Sequence, residues 1–182
     1  MTFFPIDSAA APRAVLFDRD GTLVVDVPYN GDPELVREVE GARQVLDALR
    51  KAGVPLGVVT NQSGIARGLL TRGQVDAVNA RVEELLGPFE VWEVCPHGNG
   101  DGCACRKPEP GMVLSASRRL GIDPSEMALI GDIGADVDAA AAAGARGVLV
   151  PTPGTRREEV EAAALVAPDL AGALELLWGN GK

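Results

Sequence analysis

Two carboxylates separated by one residue, Asp18 and Asp20, follow the apolar run Ala14-Val15-Leu16 and precede Gly21-Thr22. Residues two apart in an extended segment project to the same side, so both side chains can reach one small volume. Anions that close repel unless a shared proton or a cation holds them, and an oxygen-preferring divalent ion, Mg2+ first, is the simplest cation to expect. The plainer reading is a polar turn that closes a strand. Other groups bear on the choice: Thr60-Asn61 after the apolar run 54–59, Gly131-Asp132 after the run 127–130, and Asp136 one turn further on. One aspartate after a strand is usually a turn or cap residue, but polar groups after three strands predict a common site at a sheet's carboxyl edge. Asp136 fits equally well in the first turn of a helix, where the dipole favours an acid.

The elements that must carry these groups are legible from periodicity. From Ala14 onward apolar runs alternate with helical patterns, the signal of βαβ units and a parallel sheet. Strands are expected at 14–16, 54–59, 91–94, 127–130 and 147–150, and helices at 41–52, 71–86, 110–120 and 135–143. Val45, Leu46 and Leu49 form one helical face, and Val75, Val78, Val82 and Leu85 another. The polar segment 24–33, with its Pro and Gly residues, reads as a loop or flap over the first strand's end. The alanines of 135–143 predict a helix packed close to the sheet. Two Ala-rich helical patterns broken at Pro168 make up a tail, 155–178, outside a core of 13–152. The expectation is one three-layer, Rossmann-like α/β domain, 1–182, with no large cap domain.

All three cysteines and the one histidine lie between Cys95 and Cys105. Cys95, His97, Cys103 and Cys105 supply three sulfurs and an imidazole, the composition of a closed structural Zn2+ site, though with tighter spacing than in common zinc fingers. A disulfide is the rival reading; it leaves one cysteine over and requires an oxidising compartment. Gly98 to Gly102 offer nothing apolar to pack, so a metal would give this loop the rigidity that its sequence lacks.

Composition narrows the class. The chain of 182 residues is 46% hydrophobic and 24% charged, as a folded domain requires, and it has no apolar stretch long enough to span a membrane. Met1 to Pro12 lacks the basic and apolar regions of a secretory signal, so the cytoplasm is the expected address. A net charge of −9 argues against nucleic acid as a partner and requires a local cation cluster for any anionic substrate. No pairing motif is evident, and a monomer is expected.

Asp18-Arg19-Asp20-Gly21-Thr22, Thr60, Lys107 and Gly131-Asp132 with Asp136 resemble, in order and spacing, the four motifs of the haloacid dehalogenase superfamily of phosphohydrolases. Within it, the stretches Thr60 to Gly68 and Cys95 to Pro108 resemble the D,D-heptose 1,7-bisphosphate phosphatases, close relatives of the histidinol-phosphate phosphatases. The stretch between His97 and Cys103 is shorter than in many members, which bears on the substrate rim. The resemblance implies that Asp18 attacks phosphorus and that Asp20 protonates the leaving oxygen and then activates water. It implies that Asp18, the Asp20 backbone carbonyl and Asp132 hold Mg2+, with Asp136 behind them or a weaker ligand. Thr60, the Asn61 backbone N–H and Lys107 would bind the transferring phosphoryl group. Arg106 would bind a second phosphate, and Arg67 could join it or pack on the surface. The implied substrate is a small sugar phosphate, a heptose 1,7-bisphosphate cleaved at its 7-phosphate. Histidinol phosphate and a non-catalytic zinc-loop binding module are the alternatives.

Overall fold

The computed structural model describes residues 11–179; Met1 to Ala10, which include most of the segment read as lacking a signal, lie outside the described residues. Five parallel strands form one sheet: β1 (Ala14–Phe17), β2 (Leu56–Asn61), β3 (Val91–Cys95), β4 (Met127–Gly131) and β5 (Arg146–Leu149), in the order β3-β2-β1-β4-β5. The chain winds from β1 outward through β2 to β3, then returns to β4 on the other side of β1. The carboxyl ends of β2, β1 and β4 thus lie side by side where the winding reverses, the position at which open α/β sheets bind ligands.

Alternation along the strands divides the core into two layers. Val15 and Phe17 of β1, with Leu56, Val58, Ala128 and Ile130, face helices α1 (Ala42–Lys51), α2 (Arg72–Leu86) and α6 (Leu170–Trp178). Ala14 and Leu16, with Val59, Met127 and Leu129, face α3 (Gly111–Leu120) and α4 (Gly134–Ala143). The expected faces are the buried ones, Val45, Leu46 and Leu49 on α1 and Val75, Val78 and Val82 on α2, except that Leu86 rather than Leu85, which is only partly buried, ends the α2 face. Ala139 and Ala140 are fully buried, and a Cβ on Gly147 would lie 2.8 Å from the Val137 backbone, so small residues do bring α4 onto the sheet. The tail breaks at Pro168 into α5 (Arg157–Ala162) and α6, the latter started by Asp169, whose side chain accepts from Gly172 N.

The strand ends shift from the expected ones. β2 begins at Leu56 because Pro55 has no N–H, while Val54 N turns back to Leu49 O. It runs on through Thr60 and Asn61, which pair with Val94 and Cys95, so these polar residues belong to the strand itself. Among the described residues no inserted domain covers the sheet's carboxyl edge; the segment from Val24 to the one-turn helix Pro33–Leu35 and the end of the cysteine loop border it. Among the described residues no helix is long and apolar enough to cross a membrane.

Candidate active site

The end of β1 delivers the first acid. Asp18 N donates to Ile130 O at 2.9 Å, extending the ladder with β4 by one residue, and its side chain is buried. Gly21 then turns the chain at a φ of 84°, and a Cβ there would fall 2.3 Å from Asp132 Oδ2. Glycine is needed here for both backbone conformation and space, because the β4 carboxylate sits directly against the turn. At Gly131 it is space alone that requires glycine, since Asp136 Cγ would lie 2.2 Å from an added Cβ. Thr22 Oγ1 reaches Asp132 Oδ1 at 3.5 Å, and Thr155 Oγ1 donates to Asp132 O at 2.6 Å.

Lys107 crosses beneath these acids. Its ammonium lies 2.6 Å from Asp18 Oδ1, 2.6 Å from Asp136 Oδ1 and 2.8 Å from Val59 O. Burial alone would push this ammonium down, but Asp136 and Asp18 hold it above the usual lysine range. Burial, opposed by Lys107 and reinforced by Asp136, Asp20 and Asp132, keeps Asp18 well above the ordinary carboxylate range. Burial and then Asp136 raise Asp132 to about 7. Oxygens of Asp18, Asp132 and Asp136 all come within 4.8 Å of one another. Once ionised, the three carboxylates would exceed the one ammonium by two charges in an all-oxygen cluster, a donor set that fits a divalent hard cation. Asp136 is fully buried; Oδ2 accepts from Ile133 N at 3.2 Å, so it caps α4 while it holds the lysine.

Asp20 is placed differently from Asp18. Its side chain is partly exposed and paired with Arg19, whose Nη2 lies 2.9 Å from Oδ2 and whose Nε lies 3.1 Å from Oδ1. Gln62 Nε2 donates to the same Oδ2 at 2.9 Å and to Thr60 Oγ1 at 2.8 Å. Sequence reasoning assigned no role to Arg19, Gln62 or Asn61's side chain. The available signal for Arg19 was its place inside the Asp-x-Asp turn, where a side chain between two acids must go either to solvent or into the core; it is 1% exposed.

At the end of β3, Cys95, His97, Cys103 and Cys105 gather as expected. Cys95 Sγ lies 3.0 Å from Cys105 Sγ and 3.8 Å from Cys103 Sγ, and His97 Nδ1 lies 3.2 Å from Cys105 Sγ and 3.6 Å from Cys95 Sγ. None of the three cysteines is in a disulfide. The four ligand atoms all lie within 4.8 Å of one another, a donor set that fits Zn2+. Burial and the contact with Cys105 push the Cys95 thiol up to about 12; burial also acts to raise Cys103, but backbone N–H groups draw it down to about 7. The loop is pinned where Gly111 N donates to Ala104 O at 2.9 Å, an approach so close that a Cβ on Gly111 would lie 2.1 Å from that oxygen.

Between the flap and this loop lies a cavity of about 350 Å³. Asp18, Asp20, Thr60, Asn61, Lys107 and Asp132 line its floor, Asp26 to Asn30 one wall, and Arg106 the other. Arg106 Nη1 donates to His97 O at 3.2 Å, and among the described residues no carboxylate pairs with it. Arg67 stays outside: its guanidinium stacks 5.1 Å from the Tyr29 ring and bonds the Tyr29 hydroxyl, so Tyr29 rather than Arg67 faces the cavity. Asp26, overlooked in the sequence, lies near Asp20 and is raised by burial and by that carboxylate.

A family model described as "HAD-hyrolase-like" matches residues 104–173. The D-glycero-beta-D-manno-heptose-1,7-bisphosphate 7-phosphatase of Pseudomonas putida is 37% identical over 174 residues, 91% of this chain and 99% of its own length. The enzyme of the same name from Bordetella bronchiseptica is 34% identical over 175 residues, 91% of this chain and 97% of its own. The crystal structure of the B. bronchiseptica D,D-heptose 1,7-bisphosphate phosphatase, complexed with magnesium and phosphate, superposes with a TM-score of 0.80 at 33% identity, covering 90% of this chain and 97% of that one. With the acids, the lysine and the cysteine loop where the motifs require them, the chain belongs to the haloacid dehalogenase superfamily of phosphatases, in the family of the heptose 1,7-bisphosphate 7-phosphatases.

Proposed function

We propose that this protein is a Mg2+-dependent phosphatase that removes the 7-phosphate of D-glycero-β-D-manno-heptose 1,7-bisphosphate through an aspartyl-phosphate. The observation that carries this reading is the pairing of Asp18 and Asp20 in one cavity with Arg106, a cation that no carboxylate there neutralises. A bisphosphate needs cations for two phosphates, and a guanidinium suits the one that does not react. The names of the relatives support the substrate and its anomer.

Mg2+, held by Asp18, Asp132 and the Asp20 carbonyl, would neutralise charge on the phosphoryl oxygens. Asp18 attacks phosphorus as the bond to the sugar oxygen breaks, and Asp20 gives that oxygen its proton. Asp20, now a carboxylate, takes a proton from the water that attacks the phosphorylated Asp18, releasing phosphate and restoring both acids. Lys107 steadies Asp18 and the incoming oxygens, with Thr60 and the Asn61 backbone N–H as further donors. Zn2+ on Cys95, His97, Cys103 and Cys105 would hold the loop that ends in Arg106 and Lys107. The reading assigns the cytoplasm, where thiols stay reduced for metal, and a monomer.

Phosphate release is the test: kcat/KM with Mg2+ for both anomers of the heptose bisphosphate and for histidinol phosphate, with Asp18→Asn as the blank. A preference for the β bisphosphate and a silent, folded Asp18→Asn are expected. Hydrolysis by Asp18→Asn at the normal rate would falsify the mechanism. Asp26 at the rim favours an amine-bearing substrate, and a preference for histidinol phosphate would transfer the same mechanism to it.

A further inference from the structure

Asn79 sits in the middle of α2, on the face that buries Val75, Val78, Val82 and Leu86. Asparagine is a poor residue for a helix interior, and an amide among valines loses its water, so a hydrogen-bonding partner must account for it. That partner is Arg19: Nη1 donates to Asn79 Oδ1 at 2.7 Å, a bond buried on both sides. Asn79 is not among the residues that line the cavity, whereas Arg19 and Asp20 are.

The guanidinium is planar and rigid, so holding one corner fixes the direction of the others. With Nη1 on Asn79, the Nε and Nη2 edge meets the Asp20 carboxylate. The two oxygens are engaged unequally. Oδ2 accepts from Arg19 Nη2 at 2.9 Å, from Gln62 Nε2 at 2.9 Å and from Arg19 Nε at 3.2 Å, while among the described residues Oδ1 accepts only from Nε, at 3.1 Å. An oxygen whose lone pairs are taken by donors has no place for a proton of its own, so in the acid form the proton resides on Oδ1. The fork and Gln62 therefore select which oxygen of Asp20 delivers the proton, as well as where it points.

We infer that Asn79 is a positioning residue for the proton transfer: acting through Arg19, it aims Asp20 Oδ1 at the leaving oxygen of the substrate. The inference rests on the proposed role of Asp20 as the acid. If Asn79 served only to neutralise a polar gap in the core, its loss would affect all substrates alike. If it aims the acid, its loss matters where the leaving group needs a proton. A sugar alkoxide needs one, whereas the phenolate of 4-nitrophenyl phosphate departs without it.

The experiment compares kcat/KM, which reports the step up to leaving-group departure, for the heptose bisphosphate and for 4-nitrophenyl phosphate with Mg2+. Asn79→Ala and Asn79→Leu should lose on the order of 10- to 100-fold on the sugar ester, with most of the loss in kcat. On the aryl ester the loss should stay within about threefold. Asn79→Asp, which keeps an acceptor for Nη1, should restore the sugar ester. An equal loss on both esters, or no loss in a folded variant, overturns the inference. Should melting curves show Asn79→Ala and Asn79→Leu unfolded, Arg19→Lys decides in their place: it keeps the charge but not the fork, so a selective loss supports the inference and a uniform loss overturns it. Asp20→Asn in the same assay separates the two levels. A selective loss there with a uniform loss in Asn79→Ala removes the role of Asn79 alone, and a uniform loss in Asp20→Asn removes the acid and this inference with it.

Discussion

The carboxamide of Asn61 brackets the backbone of Lys107: Asn61 Nδ2 donates to Lys107 O and Lys107 N donates to Asn61 Oδ1, each at 3.1 Å. The last residue of β2 thereby fixes the main chain of a lysine 46 positions away at the end of the cysteine loop. Asn61→Ala removes both bonds. A loss of about 1–3 kcal/mol in stability and on the order of tenfold in kcat/KM is expected, measured by denaturant melts and phosphate release. A variant with full activity would show that Asp18, Asp136 and Val59 O hold Lys107 without help.

Asp136 Oδ1 holds the Lys107 ammonium at 2.6 Å, and removing one partner of a buried pair leaves the other uncompensated. Asp136→Asn should destabilise the metal-free protein by about 3 kcal/mol. It should lower kcat more than it weakens Mg2+, because the carboxylate serves the lysine first. Calorimetric Mg2+ titration alongside kinetics tests this; a loss confined to Mg2+ affinity would make Asp136 a metal ligand instead.

Protons and Mg2+ should compete for Asp132. Its pKa of about 7 lies above the ordinary 3.8, so the folded metal-free protein binds a proton more tightly than the unfolded chain does. Its contribution to stability is full below 3.8 and lost as pH rises through about 7. Asp18 shifts in the same direction. The metal-free protein should therefore become less stable from mildly acidic to neutral pH, and Mg2+ should reverse that trend. Apparent Mg2+ affinity should fall by about tenfold or more per pH unit on acidification below the Asp132 pKa, because Asp18 must also give up any proton it holds. Affinity independent of pH across that window would contradict the assignment.

Stripping Zn2+ with a chelator, or the change Cys103→Ser, should lower the melting temperature by several degrees and raise KM more than it lowers kcat. The loop leads into Arg106, the residue proposed to bind the second phosphate, while Asn61 still holds the Lys107 backbone. Elemental analysis with paired melts and kinetics provides the check. Unaltered KM in a zinc-free protein would remove the loop from substrate binding.

The amino-acid order by itself determined the parallel sheet, its flanking helices and the polar groups at the ends of β1, β2 and β4, because those depend on local information. Strand and helix periodicities are written in consecutive residues, and Gly21 beside Asp20 and Gly131 beside Asp132 mark where a chain must turn or approach closely. Cys95, His97, Cys103 and Cys105 sit close enough in sequence to be read as one ligand set, and the structure gathers them.

Only the tertiary structure decided who holds whom. Asn61 and Lys107 meet because β2 and the cysteine loop end at the same edge of the sheet. Arg19 turns inward because Asn79, 60 positions later, offers it an acceptor beneath α2. Arg67 goes to Tyr29 and leaves Arg106 as the cavity's arginine that, among the described residues, no carboxylate pairs with. Such pairings depend on distances across the fold and on which charges lose their water, and neither quantity is encoded in the spacing of residues along the chain.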